Sequence, residues 1–145
     1  MSTTRATRKI VTVLMPAMIV ITSCPAVAGV KRLVSIPQPL WGAWAPNADA
    51  CSNATDESIV VLSAKSYRSS RTSCNIIDLS ETPGTNGPVY SARSRCTKQG
   101  QTQPTISNLI VRTEDSNRIS IGSDFTTLKM HQKCSANEPI TERTR

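Results

Sequence analysis

Few side chains in this 145-residue chain are suited to chemistry. His131 is its single histidine and stands between Lys129 and Lys133. Asp49, Asp56 and Glu57 gather on one polar stretch, Trp41 and Trp44 lie three apart around Gly42, and the five cysteines are Cys24, Cys51, Cys74, Cys96 and Cys134. Hydrolysis by a nucleophile needs a serine or thiol partnered by a base, and glycoside chemistry needs paired carboxylates beside aromatic platforms. Neither constellation is present, so no catalytic residue is assigned and the carboxylates read as solubilising the loop that carries them. Zinc coordination calls for closely spaced pairs such as Cys-x-x-Cys; the spacings here are wide and one histidine is too few, so no metal and no cofactor is expected.

The cysteines point to structure instead. Arg5, Arg8 and Lys9 precede the apolar run Ile10 to Ile21, too short to span a bilayer comfortably, which marks residues 1–28 as an export signal. Ala26-Val27-Ala28 offers cleavage before Gly29, whereas Ile21-Thr22-Ser23-Cys24 reads as a lipobox with Cys24 lipidated, giving a protein anchored to the envelope. Either cut leaves four cysteines in a short exported chain, the signature of two disulfides. It also removes three of the basic residues behind a net charge of +7, leaving +4 and little case for nucleic acid. No membrane span is expected in the mature protein.

The elements that must hold these groups are strands. Residues 29–39, with Pro37 and Pro39, read as a flexible lead-in, and order is expected from Leu40. Residues 47–57 read as a long loop pinned through Cys51, in which Asn53-Ala54-Thr55 fits a glycosylation sequon. Short runs rich in Ile, Val, Thr and Tyr follow, at Ser58 to Ser63, Thr72 to Leu79, Pro88 to Cys96, Thr105 to Thr113, Arg118 to Gly122 and Thr126 to Cys134. Turn-forming residues separate them, including Glu81 to Gly87 and Glu114 to Asn117. The pattern predicts an all-β antiparallel meander over 40–134, with a disordered tail at 135–145.

Alternation places Tyr90, Ala92, Ser94 and Cys96 on one face of the third run. In the last run it places Leu128, Met130, Gln132 and Cys134 on the less charged and therefore inner face. The second run is untidy, because Cys74 and Ile76 oppose the equally apolar Ile77 and Leu79. A hairpin centred on Thr85 sets Cys74 opposite Cys96, close enough for a cross-strand bridge, and leaves Cys51 for Cys134. The local alternative, Cys51 with Cys74 and Cys96 with Cys134, stays open.

Gly42-Ala43-Trp44 at the start of a meander resembles the small lipocalin-like β-barrels, where such a tryptophan plugs one end of the core. The fuller order, with "SCNIIDL", "VYSARSRC" and a terminal strand ending at Cys134, resembles short exported proteobacterial proteins, most of them uncharacterised. The first third is also similar to the Inh-type periplasmic metalloprotease inhibitors, a likeness that implies an extended N-terminal segment entering a protease cleft. MliC-type lysozyme inhibitors share the stapled barrel, but their Ser-Gly-x-x-Tyr loop is absent. These resemblances imply a barrel stapled by two disulfides. Trp44, Tyr90, Leu128 and Met130 are the expected core. Trp41, Arg93, Arg95, Lys129 and Lys133 are the candidate binding residues; with Lys98 and His131 the basic ones would form a cationic face, against which stands the favoured reading of a solvated, edge-protecting surface. The expected function is a non-catalytic periplasmic or secreted binding module, with a secreted hydrolase or an acidic envelope component as candidate partner and a lipid-anchored structural role as the alternative.

Overall fold

A computed structural model describes residues 29–53 and 57–135; residues 1–28, read from the sequence as an export signal and carrying Cys24, the positions 54–56 with part of the Asn53-Ala54-Thr55 sequon, and residues 136–145 lie outside the described residues. The strands are β1 (Lys31–Arg32), β2 (Gly42–Ala45), β3 (Val60–Leu62), β4 (Ser66–Arg68), β5 (Thr72–Thr82), β6 (Val89–Lys98), β7 (Thr105–Thr113), β8 (Arg118–Gly122) and β9 (Lys129–Lys133). A 3-10 helix covers Gln38–Leu40 and a single helical turn, α1, covers Ala48–Cys51. From β2 to β9 each strand pairs antiparallel with its sequence neighbour, and β2 returns to pair with β9. The result is a closed antiparallel barrel, as expected, and its strands number eight.

Closure follows from strand length. β5 and β6 pair along almost their whole length and form the rigid side of the barrel. β4 is only three residues long and covers the first part of β5, pairing Ser66 with Asn75 and Arg68 with Ser73. The rest of that edge is taken by β1, which sets Lys31 opposite Glu81 and Arg32 opposite Ser80, followed by the Leu33 amide donating to the Leu79 carbonyl at 2.9 Å. The expected lead-in is therefore corrected. Residues 31–33 complete the sheet, and Ile36 is 3% exposed in the core, because the unpaired amides and carbonyls of β5 need partners that β4 is too short to give.

A bulge explains the untidy run. The register pairs Cys74 with Cys96 and Ile76 with Ser94, then shifts so that Asp78 meets Arg93 and Leu79 meets Ala92. Ile77 is the extra residue. It faces outward, and the side-chain phase flips across it, so that Cys74, Ile76 and Leu79 all turn inward.

Two apolar clusters form. The barrel interior holds Trp44, Leu62, Leu79, Tyr90, Leu109, Val111, Ile119 and Ile121 among others. A smaller cluster lies outside the barrel, where Ala50 and Cys51 of α1 pack on Ala43 and Ala45, with Ile59 and Val61 beside them. Asn47 caps this turn by accepting from the Ala50 amide at 2.8 Å, so the expected loop contains a capped helical turn.

Both expected disulfides are present, Cys74–Cys96 with Cα atoms 4.0 Å apart and Cys51–Cys134 with Cα atoms 5.5 Å apart. The second clamps α1 to the seam where the first and last barrel strands meet, next to the Cys134 amide bonded to the Ala43 carbonyl. Such bonds belong to an oxidising, extracytoplasmic environment. Among the described residues no helix is long and apolar enough to cross a membrane.

Candidate functional site

The two ends of the barrel differ. At one end Gly42, with φ +118, turns the chain out of the 3-10 helix into β2 and sends Trp44 inward. Trp44 is fully buried and donates its indole N–H to the Leu40 carbonyl at 2.8 Å, so helix and tryptophan form one plug. Lys133 locks it from the side: its ammonium stands 5.4 Å from the centre of the Trp44 ring and donates to the Pro39 carbonyl at 2.7 Å. Trp41 is 39% exposed and held by a bond from its indole to the Ile36 carbonyl, a rim position.

The other end is open. A cavity of about 500 Å³ opens there between the ends of β3 to β7. Its apolar surface comes from Val60, Leu109, Ile106 and the Cys74–Cys96 bond, and its polar surface from Tyr67, Ser69, Thr72, Thr105 and Ser107. Lys98 and Glu57 complete the lining, and Glu57 is engaged by Arg71 at 2.6 Å. Tyr67 projects from the short β4 and points its hydroxyl at Cys96 Sγ, 3.5 Å away; a disulfide sulfur carries no proton, so the phenol is the donor. Burial raises the Tyr67 pKa above its usual value, against a smaller opposite pull from the Ser107 and Ser94 hydroxyls, so the phenol keeps its proton.

Ser94 marks this end further. It is fully buried on the inner face of β6, directly opposite Ser107, and its hydroxyl has no hydrogen-bond partner of proper geometry among the described residues. A hydroxyl without a partner in the interior carries a desolvation cost of about 1–3 kcal/mol.

The remaining candidates are dispersed. Trp44 and Tyr90 are buried as expected, but Met130 is 55% exposed and Leu128 only half-buried. The last strand is thus reversed relative to expectation. Its inner phase is Lys129, His131 and Lys133, set by pairing of His131 with the fully buried Ile119 and of Lys133 with Trp44. The lysines tolerate this because they sit at the ends of a short strand: Lys129 is exposed, and the Lys133 stem covers apolar surface while its ammonium reaches the Pro39 carbonyl. Cys134 faces outward to meet α1 and sets the phase.

His131, between them, is 7% exposed and lies 2.8 Å through Nδ1 from the Lys129 carbonyl and 3.3 Å through Nε2 from the Ser58 carbonyl. The single cationic face does not form. Arg93 and Arg95 project outward from β6, while β9 lies beyond β7 and β8. Arg93 instead borders a second, shallower cavity of about 360 Å³ on the outer surface with Asp78, Asn108 and Asp124. The carboxylates there are already engaged, Asp78 by Arg32 and Asp124 by Thr126 and Thr127.

Tyr67, Ser94 and Ser107 were not singled out by sequence. One signal was present, since Ser94 is the polar member of the inner series Tyr90, Ala92, Ser94 and Cys96. No family model, no curated protein and no solved structure matches the chain.

Proposed function

We propose that the protein is an exported binding module that holds a small ligand in the open mouth of its barrel. The observation that carries this is the difference between the two ends: one is filled by Trp44 and bolted by Lys133, the other keeps a cavity of about 500 Å³. A volume in the range of roughly 300–1,000 Å³ suits a compact organic ligand, and a lining that mixes polar side chains with Val60, Ile106 and Leu109 suits one that carries polar groups of its own. Cleavage after Ala28 belongs to the proposal; a mature mass beginning at Gly29 supports it, and acylation of Cys24 would replace the free form with an anchored one. The inhibitor reading draws less support, because a segment already paired with β5 at Lys31–Arg32 is not free to enter a protease cleft.

The neutral fluorophore Nile red tests the seat. Saturable binding at one molecule per chain is expected, with loss of binding in Val60→Trp and Thr105→Trp variants whose melting temperatures match the parent. Absence of saturable binding, or binding that both tryptophans leave intact, overturns the proposal.

A further inference from the structure

We infer that the barrel docks on an anionic phospholipid surface through the side on which its N-terminal segment crosses from β5 to the turn between β3 and β4. Four of the seven exposed large apolar side chains among the described residues, Val30, Val34, Trp41 and Ile77, gather at this crossing. Backbone bonds hold them together. The Leu33 amide donates to the Leu79 carbonyl and the Ile36 amide to the Ala64 carbonyl at 2.7 Å, so Val34, 88% exposed, stands between two anchored residues. Trp41 hangs its indole on the Ile36 carbonyl at 2.8 Å. The Lys65 carbonyl accepts from the Ile76 amide at 2.9 Å, which sets Lys65 beside the outward Ile77. Single exposed apolar residues are ordinary on a protein surface, whereas four around one crossing, a tryptophan among them, mark a docking surface.

Two features make a headgroup layer the occupant. The first is charge. Lys31, Arg32, Lys65 and Lys133 border the patch, Lys133 by donating to the Pro39 carbonyl close to Trp41. The carboxylates there are Asp78, held by Arg32, and Glu81, across from Lys31, which leaves Lys65 and Lys133 without an ion pair among the described residues. Basic side chains are drawn to anionic lipid, and a tryptophan ring settles at headgroup level. The second is the chain that leads into the patch. Gly29, the first residue after the Ala-x-Ala cut, adjoins Val30; with the lipobox cut instead, the acylated Cys24 lies five residues before Gly29, a reach of at most about 18 Å. Either maturation starts the protein at this surface. The mouth lies at the other end of β5, beside Thr72, so a docked barrel keeps it open to solvent.

The mature chain from Gly29, which carries no acyl group, is mixed with vesicles of phosphatidylglycerol and phosphatidylethanolamine, and cosedimentation and tryptophan emission are read. Trp44 is fully buried, so a blue shift reports Trp41. Saturable cosedimentation with a blue shift is expected, at least about fivefold weaker on phosphatidylcholine vesicles. Val34→Asp and Lys65→Glu should each weaken binding about tenfold at unchanged melting temperature. Phe125→Asp, at an exposed apolar position on the β8–β9 loop, should leave it unchanged. No cosedimentation, an unshifted emission, indifference to Val34→Asp and Lys65→Glu, or an equal loss in Phe125→Asp would each overturn the inference. A dimer in size-exclusion chromatography that Val34→Asp dissolves, with no binding to vesicles, would overturn it too and give the surface to a second copy of the chain.

Discussion

Cys74 lies directly across from Cys96 although the hairpin that joins their strands is set one residue out of step with them, and Ile77 absorbs the difference. The bulge assigns neighbouring apolar residues opposite fates. Ile77 is 54% exposed, whereas Leu79, two positions on, is 3% exposed in the core. Ile77→Ala should change stability by no more than about 0.5 kcal/mol and Leu79→Ala should cost about 2–5 kcal/mol, read from urea denaturation midpoints. A register without the bulge predicts similar costs for both.

The reversed last strand gives a second contrast. Replacing His131 by Leu leaves the Lys129 and Ser58 carbonyls without the ring nitrogens that approach them, at a cost of about 1–3 kcal/mol. Met130→Gln, on the exposed face, should be neutral within about 0.5 kcal/mol. Thermal denaturation of the two variants side by side decides between the observed phase and its opposite.

Lys133→Met keeps most of the stem that packs beside Trp44 but removes both the charge over the ring and the donor to the Pro39 carbonyl. The expected loss is about 1–2 kcal/mol. In a double-mutant cycle with Trp44→Phe, coupling of about 0.5 kcal/mol or more is expected, and strict additivity would show that lysine and plug are independent.

The two disulfides should differ in worth. Cys51–Cys134 closes 83 residues of sequence and Cys74–Cys96 closes 22, so the chain-entropy argument gives about 4.5 and about 3.5 kcal/mol. Paired Cys→Ala replacement of the outer bond is therefore expected to lower the melting temperature more than replacement of the inner one.

Acid should reveal Glu114. Hydrogen bonds from Ser120 and Arg112 hold its carboxyl below the usual value of 4.5. A lowered folded pKa means the unfolded chain takes up the proton first. The contribution is thus complete above the usual value and is lost as pH falls through the folded one. Glu114→Gln should flatten that part of the pH–stability curve while leaving its shape near neutrality unchanged, as read from denaturation midpoints between pH 6 and about pH 3.

These contrasts also show what was legible in the residues alone. The strands β5 to β8 announce themselves through β-branched runs bounded by Pro, Gly, Asn and Asp; counting around Thr85 finds the Cys74–Cys96 pair but not the register of the hairpin itself, because the bulge at Ile77 offsets the two by one residue. β1 and β4 do not announce themselves, because two or three residues of strand carry no periodicity; long-range pairing with β5 holds them. The last strand was misread for a related reason. Polarity alternation assumes that charge means solvent, whereas Lys129 and Lys133 lie near the ends of their strand and Cys134 pairs outside the barrel. The mouth was invisible because its lining, Tyr67 and Ser107 included, comes from strands β3 to β7 and shares no motif.

The pairing of β1 with the outer half of β5 carries a consequence for handling the protein. Trimming the chain beyond Leu33 strips three residues of sheet partner from that edge and exposes bare rungs that a second molecule can occupy. Proteolytic loss of the residues through Leu33 is thus expected to promote edge-to-edge association of barrels, read as higher-order species by size-exclusion chromatography, and storage conditions that spare Lys31 to Leu33 guard against polymer.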